Sequence, residues 1–183
     1  ALCDWMHEHR TSLNNHIFSI NISGTSLGKE SFRNHVVAQI SHYQLNPEQL
    51  CFEITETAAI ENIDRAKSFI STLKALGCRF AIDDFGSGLS SFAYLKDFQA
   101  DYLKIDGCFI IDISENPQNR AIVESMCKLG KALNLKVIAE YVKDAKTQVE
   151  LEILGVDYYQ GFYYSVPQNI NLLLASENSK TAM

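Results

Sequence analysis

The sequence predicts an α/β fold, a (β/α)8 barrel with about six of its eight strands present in the chain. Three observations carry this. Short apolar runs alternate with amphipathic stretches, the pattern of parallel strands joined by helices. Polar residues fall near the C-terminal end of nearly every run, where the loops of such a barrel converge on one site. No shift in composition divides the 183 residues, so one domain is expected over 1–175, followed by a polar tail at 176–183.

The elements follow in order. Residues 1–13, ALCDWMHEHRTSL, read as an amphipathic helix leading into the strand IFSINIS at 17–23. The helix SFRNHVVAQISHYQ at 31–44 then leads to LCFEITE at 50–56. NIDRAKSFISTLKALG (62–77) leads to RFAIDDF (79–85), and DYLKIDG follows at 101–107. NRAIVESMCKLGKAL (119–133) precedes LKVIAEYV (135–142), and DAKTQVELEILG (144–155) precedes DYYQGFYY (157–164). Several helices close on glycine or asparagine, the residues that tolerate the turn out of a helix. A closed barrel needs eight strands in about 200 or more residues, so the missing pair is expected upstream of Ala1. An open doubly wound sheet is the alternative, but it gathers polar groups at one switch point rather than from nearly every strand.

Composition narrows the function classes. With 46% hydrophobic and 21% charged residues the chain is of ordinary globular make-up. A net charge of −6 argues against a surface made for polymeric nucleic acid. There is no basic-then-apolar leader and no run of roughly 18 apolar residues, so no membrane segment is expected in the chain. A cytoplasmic setting follows, although a parent protein could be anchored upstream. Cysteines 3, 51, 78, 108 and 127 are odd in number and lack C-x-x-C spacing, which predicts reduced, mostly buried thiols. The five histidines gather toward the N-terminal part, and no ligand role is assigned to them.

The chemistry lies in the strand ends. Asn21, Glu53, Asp83, Asp84, Asp106, Glu140 and Gln160 all occupy that position, and Lys104 shares a strand face with Asp106. Five of these, the carboxylates, with the Asn21 amide and the Lys104 amine make a hard-oxygen site, which selects Mg²⁺, Mn²⁺ or Ca²⁺ rather than zinc. Two adjacent aspartates repel unless something positive neutralises them. One bridging and one terminal carboxylate would hold two divalent cations, the arrangement that clamps a phosphodiester and activates water. Taken singly, a strand-end carboxylate is a helix cap or a solvated loop residue, the reading kept for Asp101, Asp112 and Asp144. Lys104 alone would be an ion-pair partner for Asp106. The loop FGSGLSSF after Asp84 reads as a turn or as a gate over the site, with Glu56 positioned to hold it.

The strings NIS, FEITET, IDDFGSG, LKIDGCFI, VIAEYV and YYQGFYYSVP, in this order and spacing over residues 2–168, resemble the EAL-domain family of cyclic di-GMP phosphodiesterases. The resemblance implies a TIM-type barrel whose first strand pair is antiparallel to the rest. It also implies metal-dependent hydrolysis of cyclic di-GMP to linear pGpG with two divalent cations, Mg²⁺ or Mn²⁺. Asn21, Glu53 and Asp83 would hold one metal; Asp83, Asp84 and Glu140 would hold the other. Lys104 resembles the lysine that contacts the attacking water or the phosphate, with Asp106 and Gln160 as its companions. Glu56 resembles the glutamate that braces the DDFG loop, which links catalysis to a homodimer through the barrel. Sensory or cyclase domains often lie upstream in this family.

The chain departs from the family pattern in three places. The Glu-Ala-Leu motif is absent from it, so its own activity is in doubt. Tyr141 and Lys143 stand where Ala-Glu-Gly-Val-Glu has glycine and glutamate, and Val166 replaces the lysine of Ser-Lys-Pro. Two other classes therefore stand beside the enzyme: a cyclic di-GMP receptor that does not cut, and an interaction module without nucleotide. Retention of all five carboxylates with Lys104 favours the enzyme.

Overall fold

A computed structural model describes residues 1–13, 16–88 and 92–172. The polar tail expected at 176–183 lies outside the described residues, as does part of the FGSGLSSF loop. Six parallel strands form one sheet in sequential order: β1 (Phe18–Ile22), β2 (Leu50–Thr55), β3 (Arg79–Phe85), β4 (Tyr102–Ile105), β5 (Lys136–Ala139) and β6 (Tyr158–Tyr159). Every pairing is parallel, and β1 and β6 stand at the edges of a sheet that does not close. The α/β architecture and the six expected strands are therefore present.

The helices are α1 (Leu2–Glu8), α2 (Gly24–Leu27), α3 (Glu30–His42), α4 (Glu56–Glu61), α5 (Ile63–Lys74), α6 (Pro117–Ala132) and α7 (Ala145–Leu154). The short helices α2 and α4 escape the periodicity argument because each is too brief to show an apolar stripe. Their caps are local: Ser23 and Thr55 accept from the amides of Ser26 and Ala58. The helix read from 119 begins at Pro117, where Asn116 accepts from two amides and proline needs no donor. The last strand is shorter than its sequence suggests, two residues rather than eight. Its chain turns at Gly161 (φ +159), where any side chain would strike the Val142 backbone.

Period-two alternation sorts the strands into two faces. Outward residues, including Phe52, Ile54, Phe80, Ile82, Leu103 and Val137, join Phe69, Ile70, Leu73 and Val123 of the helices in one core. Inward residues Cys51, Ala81 and Tyr102 form a smaller cluster with Ile138. The inward positions one step further along β2, β3 and β4 are Glu53, Asp83 and Lys104, so the apolar plug hands over to a polar row at the C-terminal mouth.

Candidate active site

Lys104 organises this row. Its side chain is 3% exposed, and Nζ lies 2.6 Å from Glu53 Oε2, 2.8 Å from Asp83 Oδ1 and 2.9 Å from Glu140 Oε1. Burial alone would push the ammonium's pKa down, but bonding to the three carboxylates outweighs it and holds the pKa above its ordinary value. The pairing with Asp106 suggested by the shared strand face does not form. Asp106 instead caps the 3-10 turn Gly107–Phe109, accepting from the Cys108 amide at 2.8 Å. That turn begins immediately beyond β4, so the alternation no longer aims Asp106 along the Lys104 row.

Strict alternation would send Asp83 and Asp84 to opposite faces of the sheet. The β3–β4 register resolves this: Ile82 pairs with Leu103 and Phe85 with Ile105, leaving two aspartates opposite the single Lys104. The extra residue is a β-bulge, a device that re-aims side chains. Asp84 adopts φ +53, a left-handed conformation that aspartate tolerates better than most residues. Carboxylate oxygens of Asp83, Asp84 and Glu140 consequently lie within 4.8 Å of one another. Burial raises the Asp84 pKa, with further upward pressure from Asp83 and Asp106. Glu140 is raised by burial as well; Lys104 opposes the shift, while Asp83 and Asp84 add to it.

This donor set fits a divalent cation. Asp83 Oδ1 is buried and, despite its ion pair with Lys104, makes no hydrogen bond of good geometry among the described residues. Glu53, Asp83, Asp84, Asp106 and Glu140 against one lysine leave four formal negative charges, the amount that two divalent cations would neutralise.

The remaining sequence candidates surround this centre. Asn21 pairs in register with Glu53 on β1 and is exposed. Gln160 is exposed just beyond β6, where its amide donates to the Ala139 carbonyl at 2.8 Å. It lines a cleft with Glu140. Glu56, the first residue of α4, is completely buried. Its Oε2 accepts from the Gly86 amide at 2.9 Å and its Oε1 from the Tyr94 hydroxyl at 2.6 Å. A buried carboxylate thus ties the backbone just after the bulge to the 3-10 turn Phe92–Lys96.

Sequence reasoning missed Tyr94, whose only signal is a hydroxyl within an apolar stretch. It also missed the backbone at Tyr141, which sits at φ +55, a conformation costing a bulky residue about 1–2 kcal/mol. The signal was the departure itself, a tyrosine where the family pattern has glycine. Asp101 and Asp144 take structural roles: Asp101 accepts from the Phe80 amide and Lys74, and Asp144 caps α7. Asp112 accepts from the side chains of Asn116 and Asn119.

The EAL domain family model matches residues 1–167. Cyclic di-GMP phosphodiesterase PdeF of Escherichia coli is 41% identical over 90% of this chain, and PdeB of Shewanella oneidensis is 37% identical over the same share. The chain spans only about a fifth of those relatives' length, 22% and 19% respectively. Among solved structures, the PaMucR phosphodiesterase in complex with c-di-GMP superposes with a TM-score of 0.86 at 32% identity, over 94% of this chain and 71% of that one. The EAL domain of Mycobacterium smegmatis DcpA gives 0.89 at 28% identity, over 97% of this chain and 80% of that one. The chain belongs to the EAL domain family.

Proposed function

We propose that this domain serves a cyclic di-GMP phosphodiesterase, hydrolysing one phosphodiester of the cyclic dinucleotide to linear pGpG with two divalent cations, Mg²⁺ or Mn²⁺. The observation that carries the reading is the bulge at Asp83 and Asp84, which brings two adjacent carboxylates together with Glu140 beside a buried lysine. Asn21, Glu53 and Asp83 are assigned to one cation, and Asp83, Asp84 and Glu140 to the other. When bound, such a pair supplies a hydroxide nucleophile at neutral pH and neutralises charge on the phosphate and leaving oxygen.

The chain's own residues do the rest. Lys104 carries a permanent positive charge at the centre of the carboxylates, placed to orient the attacking water or a non-bridging phosphate oxygen. Asp106 and Gln160 lie just beyond β4 and β6, the two strands that flank β5, whose end carries Glu140. Glu56 holds the bulge through the Gly86 amide, so the two aspartates keep their aim. Water adds to phosphorus and the P–O3′ bond breaks, giving a 3′-hydroxyl and a terminal 5′-phosphate. The same reading carries a homodimer through the barrel and a cytoplasmic setting, where a nucleotide messenger would be met.

The test is chromatography of the nucleotide products with Mn²⁺ or Mg²⁺ present and after chelation. Formation of pGpG that requires the metal and is abolished by Asp83→Asn supports the proposal. Turnover that survives chelator or that substitution refutes it, and tight binding without any cleavage supports a receptor instead.

A further inference from the structure

We infer that Tyr141 is a stacking platform for a purine base of the substrate, a specificity-determining residue one position beyond the metal-site carboxylate Glu140. This rests on the cyclic-dinucleotide reading above. The ring's placement is the first argument. One part of it packs on the backbone of the buried Gly107, where an added Cβ would lie 2.6 Å from Tyr141 Cγ and 2.9 Å from Cε2. Yet the residue remains 64% exposed. An aromatic ring seated on one side and open on the other is a platform rather than a core residue.

The backbone supplies the second argument. A residue held at φ +55 would be best served by glycine, and a tyrosine there gains little packing in return because most of its surface stays in water. The third is the surroundings. Tyr141 lines a cleft of about 320 Å³ with Glu140, Lys143, Gln160, Gly161 and Phe162, and the Phe162 ring is also exposed. The volume falls at the lower end of the roughly 300–1,000 Å³ typical of ligand clefts. Two exposed aromatic rings bordering a cleft that shares Glu140 with the acidic centre suit a flat apolar face carried on a phosphodiester. A nucleobase has that chemistry. Lys143 is tied to the rim, donating through Nζ to the Ile111 carbonyl at 2.6 Å, so its ammonium is already engaged beside the two rings.

The experiment compares the wild-type chain with Tyr141→Ala, Tyr141→Gly and Tyr141→Phe. Initial rates with cyclic di-GMP and Mn²⁺ give KM and kcat, and the emission of a 2-aminopurine cyclic dinucleotide, quenched on stacking, gives a direct optical readout. Alanine and glycine should raise KM by roughly tenfold, the scale of base–aromatic stacking, with a smaller change in kcat and a loss of quenching. Phenylalanine should preserve both. Tyr141→Gly should also unfold at a higher temperature than wild type while binding more weakly, a combination that a merely structural tyrosine would not give. Wild-type KM and quenching in the alanine and glycine variants would overturn the inference alone. A wild-type chain that neither binds nor cleaves the cyclic dinucleotide would overturn the underlying reading and this inference with it.

Discussion

Replacing Lys104 by methionine removes one charge from the molecule and tests how the site is held together. The two side chains are of similar length, so packing changes little while the ammonium disappears. Three carboxylates then lose the cation that lies within 2.9 Å of each of them, in a place where Lys104 itself is 3% exposed. Breaking a buried ion pair by removing one partner costs about 3–5 kcal/mol, because the surviving charge stays buried without compensation. Here three partners are orphaned, so the upper end of that range applies. At about 2–4 °C of Tm per kcal/mol for a chain of this size, a loss of roughly 10–20 °C is expected.

The assay is thermal and urea unfolding of both chains, with and without Mn²⁺. The Lys104 pKa is raised in the fold, so its stabilisation is fully present below the ordinary lysine pKa and lost only as pH climbs through the raised value. The destabilisation by Lys104→Met should therefore be undiminished across neutral pH. Mn²⁺ should restore part of the lost stability, since it supplies positive charge to the same oxygens. A loss under 1 kcal/mol, or a variant that gains nothing from Mn²⁺, would refute the view that Lys104 neutralises a metal-type carboxylate cluster.

Two further outcomes are expected. Glu56→Gln should keep the fold but weaken Mn²⁺ binding by about tenfold in calorimetry, because glutamine keeps one acceptor oxygen for two donors and its NH2 cannot hold the Gly86 amide while the oxygen serves Tyr94, which loosens the aspartate bulge. Equal affinity would separate the brace from the site. Burial pushes the Cys51 thiol up to about 12 and those of Cys78 and Cys127 up to about 11. At pH 8 a thiol of pKa about 11 is ionised in roughly one molecule in a thousand, so iodoacetamide should leave these three unmodified in native protein and label them in urea. Cys108 is exposed but also raised to about 11, so its labelling should climb about tenfold per pH unit between 8 and 10. Mass spectrometry of the alkylated chain decides both points.

The strands were legible because burial imposes period two on them. IFSINIS, FEIT and FAID alternate regularly enough that the inward polar set is legible from the sequence. The contacts of that set were not legible, since each depends on the register of a neighbouring strand. Nothing local to RFAIDDF says that two residues must face one, yet that mismatch with β4 is what lets Asp83 and Asp84 serve one site. Lys104 shows the same limit. Its face was predictable, but its choice of Glu53, Asp83 and Glu140 over Asp106 follows from a 3-10 turn that carries Asp106 away. The Glu56–Tyr94 bond joins residues 38 apart, beyond the reach of any periodicity argument.

Where the backbone is irregular also separates stability from chemistry. Four non-glycine residues among those described have positive φ. Gln44 and Asn134 follow α3 and α6 and simply end them, the ordinary use of that conformation. Asp84 and Tyr141 instead lie at the C-terminal mouth of the sheet, one in the bulge and one beside Glu140. At the opposite ends of the strands the positive-φ residues Gln44 and Asn134 only close helices, and regular interactions clamp the strands there. Asp101 ties the start of β3 to Lys74, and Asp157 accepts from Lys136 and the Val137 amide at the start of β5. A strained aspartate and a strained tyrosine persist because those clamps and the core fix the strands that carry them. At the mouth the sequence gives up backbone comfort away from any helix end, at Asp84 in the carboxylate cluster and at Tyr141 on the rim of the adjoining cleft.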